Sequence, residues 1–209
     1  MALDEEERQK ETARKREERR KRRAEKKRAW AASYGSPRAL MRHAREFPVR
    51  ECLCADSLDG SGLGPMVIAR DLPGRRVAFA AYLVDRFCLG VKNAFCNVAS
   101  RRKYERDLKK RLLAGAPASP IAVEPFHQIV YGAIDYARQY GFEPHKDFEL
   151  ASGLLDPRDQ VPPGDPVEFG KDGKPFYVSG PHDDVQQIMA TLEETAGPGG
   201  YDYLYGAPF

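Results

Sequence analysis

Residues 66–84 read MVIARDLPGRRVAFAAYLV, and this stretch decides the fold class. Two hydrophobic runs, Met66–Arg70 and Arg76–Val84, flank Leu72-Pro73-Gly74-Arg75, a sequence typical of a turn. In the second run both alternating sets of side chains are apolar, which predicts a strand that is buried on both faces. The stretch therefore predicts two strands of one sheet, with Arg76–Val84 in the interior of that sheet.

The segments around this stretch predict both helices and strands. Glu124–Tyr140 has apolar residues at core-facing helical spacing, with Pro125 in its first turn and Gly141 as a natural stop. The other predicted elements are a strand at Val49–Ala55, a helix at Val98–Leu113, a hairpin that joins Val167–Phe169 to Pro175–Val178 through Asp172-Gly173, and a helix that contains Val185, Ile188, Met189 and Leu192. We therefore predict an α+β domain, with a small, mainly antiparallel sheet packed with about three helices.

The first 28 residues are much more charged than the rest of the chain. They contain 13 Lys/Arg and 8 Asp/Glu, a net charge of +5, whereas the other 181 residues have a net charge of −2. Residues 4–32 lack proline and glycine and are rich in strong helix formers, so we predict one long charged helix. No apolar stripe runs along it, which excludes a coiled coil. Opposite charges four residues apart would stabilise it, at Asp4–Arg8, Glu6–Lys10, Glu11–Lys15, Glu17–Lys21 and Glu18–Arg22.

This contrast in composition predicts three parts: a basic helical arm at 1–33, a linker at 34–48 and a single α+β domain at 49–209. No apolar run reaches 18 residues and the N-terminus has no apolar signal segment, so we expect neither a membrane span nor secretion. The four cysteines lie in apolar surroundings, which suits reduced thiols. We therefore expect a cytoplasmic protein, with a nuclear location left open for a eukaryotic source.

The basic arm is the feature that most strongly indicates a partner. Lysine and arginine side chains neutralise phosphates and release counterions, which gives sequence-independent and salt-sensitive binding. Residues 101–111 form a second basic cluster, for which an ordinary exposed helix face is the alternative. The alternatives for the arm are a solvated helix, an import or solubility segment, and a protein-binding helix. The candidate nucleic-acid-binding residues are Arg14, Lys15, Arg16, Arg19, Arg20, Lys21, Arg22, Arg23, Lys26, Lys27, Arg28, Arg101, Arg102, Lys109 and Lys110.

The glycine-rich segment 56–65 is the best candidate for a catalytic site. Asp56 ends the first predicted strand, and Asp59-Gly60-Ser61-Gly62-Leu63-Gly64-Pro65 precedes the second. Over residues 52–111 this order resembles ribonuclease H-like enzymes of the type 2 class. Those enzymes have an acidic residue on the first strand, a glycine-rich turn that ends in Gly-Pro, and a basic helix after a Gly-x-x-x-Ser-Lys-Lys-like segment. Here Ser57 replaces the Glu of the family's Asp-Glu pair, and Gly90-Val91-Lys92-Asn93 replaces the lysine-rich segment.

The resemblance implies phosphodiester hydrolysis with two Mg²⁺ ions held by Asp56, Asp59 and Asp85. Mg²⁺ takes hard oxygen ligands, and a pair of such ions would stabilise the attacking and leaving oxygens. The residues themselves also fit a simpler interpretation, in which Asp and Gly fill a turn between two antiparallel strands. Asp85 and Lys92 both lie where a hydrophobic run ends, so they could also form a structural ion pair.

Three smaller groups of residues are also candidates for sites. Cys52, Cys54, Cys88 and Cys96 could supply thiolates for zinc, but their spacing does not match zinc knuckles and core packing is favoured. His182-Asp183-Asp184 resembles a ligand cluster, although acidic residues at a helix start need no metal. The aromatic residues of the tail could form an edge strand, a base-stacking platform or a docking peptide. They are Tyr201, Tyr203, Tyr205 and Phe209.

The leading hypothesis is an accessory protein, not an enzyme, that binds nucleic acid or a ribonucleoprotein through the arm. This hypothesis requires no cofactor and no membrane. The first alternative is a metal-dependent ribonuclease H-like nuclease that uses Mg²⁺. The second is a protein-interaction subunit of a larger assembly.

Overall fold

A computed structural model describes residues 11–22, 24–25 and 35–205. The chain divides into two units, Met1–Leu40 and Met41–Phe209. In the first unit, residues 11–22 and 24–25 are helical, and we call this helix α1. These residues belong to the helix predicted over 4–32, whose other residues lie outside the described ranges. A second helix, α2, spans Pro37–Arg42.

The second unit is built on a five-stranded antiparallel sheet, as the sequence predicts. Its strands are β1 (Val49–Ala55), β2 (Leu63–Leu72), β3 (Arg76–Asp85), β4 (Gly90–Ser100) and β5 (Ala118–Pro120). Their order across the sheet is β4-β3-β2-β1-β5, so β3 has a neighbour on each side. The prediction that the apolar run Arg76–Val84 lies inside the sheet is therefore confirmed.

Helices and short helical turns connect and cover the strands. The α-helices are α3 (Ser57–Ser61), α4 (Arg101–Lys103), α5 (Lys109–Leu112), α6 (Val123–Gln139), α7 (Phe148–Ala151) and α8 (Val185–Thr195). A π-helical turn at Tyr104–Leu108 joins α4 to α5, and 3-10 turns occur at Ala44–Glu46, Ser152–Leu154 and Arg158–Gln160. Two further strands, β6 (Phe176–Val178) and β7 (Asp202–Leu204), pair in parallel.

The sheet is covered on both faces. Tyr82 contacts Phe126 of α6 with ring centroids 6.2 Å apart, whereas Phe79 contacts Tyr104 with ring centroids 5.5 Å apart. Since Phe79 and Tyr82 are three residues apart on β3, they point to opposite faces of the sheet. Helix α6 therefore packs on one face and the segment 101–112 on the other.

Two predicted elements are wrong in part. The helix predicted from Val98 begins at Arg101, because residues up to Ser100 stay paired with β3 and the Ser100 hydroxyl then accepts a hydrogen bond from the Lys103 N–H at 3.3 Å. The predicted hairpin keeps its turn, where Lys171 and Lys174 pair around Asp172-Gly173, and its second strand, which is β6 but pairs with β7. The segment 167–169 is not a strand. The Phe169 ring instead stacks on Tyr136 of α6.

Candidate functional site

Helix α1 is stabilised by three ion pairs between residues four positions apart. Lys15 pairs with Glu11 at 2.5 Å, Lys21 with Glu17 at 3.2 Å, and Arg22 with Glu18 at 2.9 Å. All six side chains are exposed, so each pair contributes about 0.2–0.5 kcal/mol to the helix. The structure thus contains three of the five predicted pairs. The other two, which begin at Asp4 and Glu6, lie outside the described residues.

Arg14, Arg16, Arg19 and Arg20 of α1 have no ion pair with any described residue. Arg16, Arg19 and Arg20 are exposed. Their spacing of three and four residues places them on one face of the helix. Arg14 lies elsewhere, beside Glu11, and lowers the pKa of that carboxyl together with Lys15, whose hydrogen bond is the larger cause. The candidates Arg23, Lys26, Lys27 and Arg28 lie outside the described residues.

In the second basic segment, 101–112, some of the basic side chains form ion pairs with acidic residues of the sheet. Arg101 pairs with Asp71 of β2 at 2.6 Å, and Lys109 pairs with Glu51 of β1 at 2.6 Å. Arg102 and Lys110 are exposed and have no ion pair with the described residues. Two of the four candidate residues in this segment are therefore occupied in tying the helix to the sheet.

The glycine-rich segment forms the short helix α3 and a left-handed turn. Gly62 has φ +71°, and a Cβ there would overlap the Phe87 ring at 2.2 Å, so the turn requires glycine. Asp56 accepts a hydrogen bond from Ser119 at 3.0 Å, and Asp59 is 90% exposed, 3.7 Å from Arg86. This confirms that Asp and Gly form the connection between β1 and β2.

Asp85 has a third, separate set of partners. It is buried, and its carboxylate accepts hydrogen bonds from the backbone N–H groups of Phe87 and Cys88, each at 3.0 Å. Burial raises the pKa of Asp85, although these hydrogen bonds and Lys92 act against the shift. No group of three or more His, Cys, Asp or Glu in the described ranges could hold a metal ion. The Mg²⁺ site that the resemblance implies for Asp56, Asp59 and Asp85 is therefore not assembled.

Lys92 pairs with Asp183, not with Asp85 as the sequence predicts. The two charged groups are 2.7 Å apart, and Asp183 also accepts hydrogen bonds from the Gly180 N–H and the Tyr177 hydroxyl. Burial acts to raise the pKa of Asp183, but the bonds from Lys92 and Gly180 outweigh it, so the pKa lies below its usual value. Ninety-one residues separate the partners, and no local pattern links them.

A shallow groove of about 250 Å³ borders this buried pair. Its ionisable groups are mostly engaged in local contacts. Glu143 pairs with Arg138, and Asp184 caps α8 by accepting a hydrogen bond from the Gln187 N–H. The sequence-based interpretation of Asp184 as a residue of a helix start is confirmed. These contacts are those of a structural polar cluster that holds the loop before α8 against β4.

The cysteines behave as core residues. All four are free thiols. Burial raises the pKa of Cys52 to about 12 and those of Cys54 and Cys96 to about 11, and it also raises the pKa of Cys88. Thiols with such pKa values stay protonated near neutral pH, and these cysteines belong to no group of three or more possible metal ligands among the described residues.

The aromatic tail forms an edge strand, one of its three predicted forms. Tyr203 lies in β7, with the Tyr201 ring centroid 6.3 Å away on one side and the Tyr205 ring centroid 5.2 Å away on the other. Phe209 lies outside the described residues.

Comparisons of the chain with protein-family models, with curated proteins and with solved structures found no match. Within the described residues, no helix has both the length and the apolar character that a membrane span requires.

Proposed function

We propose that this protein is a non-enzymatic accessory protein that binds nucleic acid or a ribonucleoprotein through its basic N-terminal arm. The observation that supports the proposal most directly is the set of three exposed arginines on one face of α1, Arg16, Arg19 and Arg20, without an acidic partner among the described residues. Lys15, Lys21 and Arg22 of α1 are instead paired with glutamates.

Arginine suits this role because its planar guanidinium can hold a phosphate with two parallel hydrogen bonds. Binding would release counterions from the nucleic acid, so affinity would fall steeply with salt and depend little on base sequence. We propose that Arg23, Lys26, Lys27 and Arg28 also contribute to phosphate binding, since the sequence there has the same composition. A cytoplasmic location belongs to the same proposal, because four unpaired thiols suit a reducing compartment.

The test measures binding of the full-length protein to a labelled 20-base-pair DNA duplex and a labelled 20-nucleotide RNA of random sequence, between 50 and 200 mM salt. We expect log K to fall linearly with log salt, by about 0.9 for each duplex phosphate contacted and about 0.7 for each phosphate of a single strand. The relative affinities for duplex and RNA would identify the preferred partner.

The decisive variant is the triple substitution Arg16→Gln, Arg19→Gln and Arg20→Gln. Its matched control, Arg42→Gln, Arg75→Gln and Lys146→Gln, removes the same charge from exposed positions of the second unit that are not candidate phosphate contacts. The arm variant should reduce the salt slope by about two to three units for duplex DNA, and the control by less than one. If the control weakens binding as much as the arm variant does, binding depends on the total charge and not on the arginines of the arm, and the proposal is wrong. If the full-length protein binds neither the duplex nor the RNA at 50 mM salt, the proposal is wrong.

A further inference from the structure

We propose that the outer edge of β7 is a docking site for an extended, basic peptide segment of a partner protein. The peptide would add a third strand beside β6 and β7. This surface is separate from the arm, and the inference does not depend on nucleic-acid binding.

The hydrogen-bond pattern leaves one edge of β7 open. Asp202 donates its N–H to the Pro175 carbonyl, and the Leu204 carbonyl accepts from the Ser179 N–H. In a parallel pair, alternate residues of a strand bond to the same neighbour, so Asp202 and Leu204 face β6 and Tyr203 faces away. The Tyr203 N–H and carbonyl have no backbone partner among the described residues. An edge of this kind is a template for strand addition.

The side chains along this edge are also unusually apolar for a surface. In the described residues, four large hydrophobic side chains are exposed: Phe95, Tyr203, Leu204 and Tyr205. Three of the four are consecutive in and after β7, where they are between 49% and 61% exposed. Tyrosine and leucine at an open edge could bury apolar area against the side chains of an added strand.

The charge of the region indicates the kind of partner. Residues 175–209 contain five Asp/Glu and no Lys or Arg. Asp183 is paired with Lys92, so the acidic residues of this region without a lysine or arginine partner among the described residues are Asp184, Glu193 and Glu194, and Glu193 accepts a hydrogen bond from the Tyr201 hydroxyl. The flanking Lys174 is used in an ion pair with Asp202 at 3.0 Å, and Lys171 lies over the Phe176 ring at 4.4 Å. Such a surface repels phosphates and attracts lysine and arginine, which favours a basic peptide over nucleic acid as the occupant.

The test uses the full-length protein and a labelled ten-residue peptide of alternating lysine and valine, which is basic and has high strand propensity. A peptide of alternating glutamate and valine tests the charge preference. A third peptide, in which prolines replace alternate valines, cannot complete strand pairing. We expect the lysine–valine peptide to bind at least tenfold more tightly than either of the others. Equal binding of the proline peptide would overturn strand addition, and equal binding of the glutamate peptide would overturn the charge preference.

Two variants locate the binding. Tyr203→Pro removes the outward N–H without touching the bonds of Asp202 and Leu204, and it should weaken peptide binding at least tenfold. Glu193→Gln with Glu194→Gln changes charge and not backbone, and it should weaken binding severalfold.

The control Phe95→Ser removes an exposed aromatic from β4 and should leave binding unchanged. If Phe95→Ser weakens binding while both other variants retain it, the peptide docks on the main sheet. If Tyr203→Pro weakens RNA binding but not peptide binding, the tyrosines stack bases and the proposal is wrong.

Discussion

Helix α1 and the segment 101–112 are nearly equal in charge but differ in how the charge is used. Residues 11–22 and residues 101–112 each contain seven Lys/Arg in twelve positions. The segment 101–112 also has Tyr104, Leu108 and Leu112, which pack on the core beside Phe79. The corresponding part of α1 has alanine as its only apolar residue.

This difference in apolar residues determines whether the basic side chains lie next to acidic residues of the sheet. Once Tyr104 and its neighbours fix the segment on the sheet, Arg101 and Lys109 lie beside Asp71 and Glu51 and are neutralised by them. In α1 the only described acidic partners belong to the helix itself, and they neutralise Lys15, Lys21 and Arg22. A run of basic residues therefore does not by itself identify a binding surface. The unpaired members of the run are the ones that can bind a partner.

The largest expected effect is a loss of stability on substitution of Arg70, a buried basic residue whose hydrogen bonds are all made within the domain. Arg70 is 3% exposed and donates hydrogen bonds to the carbonyls of Leu154, Arg45 and Phe47 and to the Asp156 carboxylate. Arg70→Met should lower the free energy of unfolding by about 3–5 kcal/mol, since these acceptors lose their donor. Urea denaturation measures the effect. The exposed control Arg102→Met should change it by less than about 0.5 kcal/mol.

A smaller loss of stability is expected from the ion pair that ties the segment 101–112 to the sheet. Lys109→Met leaves Glu51 partly buried without its charged partner, so the free energy of unfolding should fall by about 1–3 kcal/mol. Lys110→Met, one residue further, is the matched control and should leave the urea midpoint nearly unchanged. Similar urea midpoints for the two variants would mean that the ion pair between Lys109 and Glu51 does not stabilise the domain.

The domain also keeps one basic side chain uncharged. His127 is buried between the Val123 carbonyl, 2.6 Å from Nδ1, and the Asp156 N–H, which donates to Nε2 at 2.8 Å. Burial lowers the pKa of His127, although the bond to Val123 opposes the shift.

Because the unfolded histidine titrates near 6.5, the unfolded state gains a proton first as pH falls. The free energy of unfolding should then decrease below about pH 6.5, by up to about 1.4 kcal/mol per pH unit, until the folded state also protonates. Urea denaturation at pH 7.5, 6.5 and 5.5 measures this loss. The variant His127→Gln should show a smaller decrease over the same range. Parallel pH profiles for the two proteins would contradict a neutral, buried His127.

The elements that the sequence predicts well are those that local patterns determine. The apolar runs of β1 and β3 and the helical spacing in α6 are patterns within one segment each, so β1 has its predicted bounds and α6 is displaced by one residue. Strand β4 was missed because its outer part carries Asn93 and Asn97, which interrupt the apolar pattern. The helix predicted over Val98–Leu113 therefore included the end of that strand.

The parts that the sequence did not predict depend on contacts between distant residues. The parallel pairing of β6 with β7 joins segments 26 residues apart, as in Phe176 and Asp202. The Lys92–Asp183 pair likewise has no local signal. In the candidate site, the spacing of four residues already predicts the ion pairs of Lys15, Lys21 and Arg22, and the structure contains all three. The exposure of Arg16, Arg19 and Arg20 is read from the structure.

The most direct measurement compares two triple variants within α1 that remove the same charge. Arg16→Gln, Arg19→Gln and Arg20→Gln removes the unpaired face, whereas Lys15→Gln, Lys21→Gln and Arg22→Gln removes the paired residues. The salt dependence of duplex DNA binding by the full-length variants is the readout. The proposed role of the unpaired arginines predicts a slope reduced by about two to three units in the first variant and by less than one unit in the second. Equal reductions, or a larger one in the second variant, would contradict it.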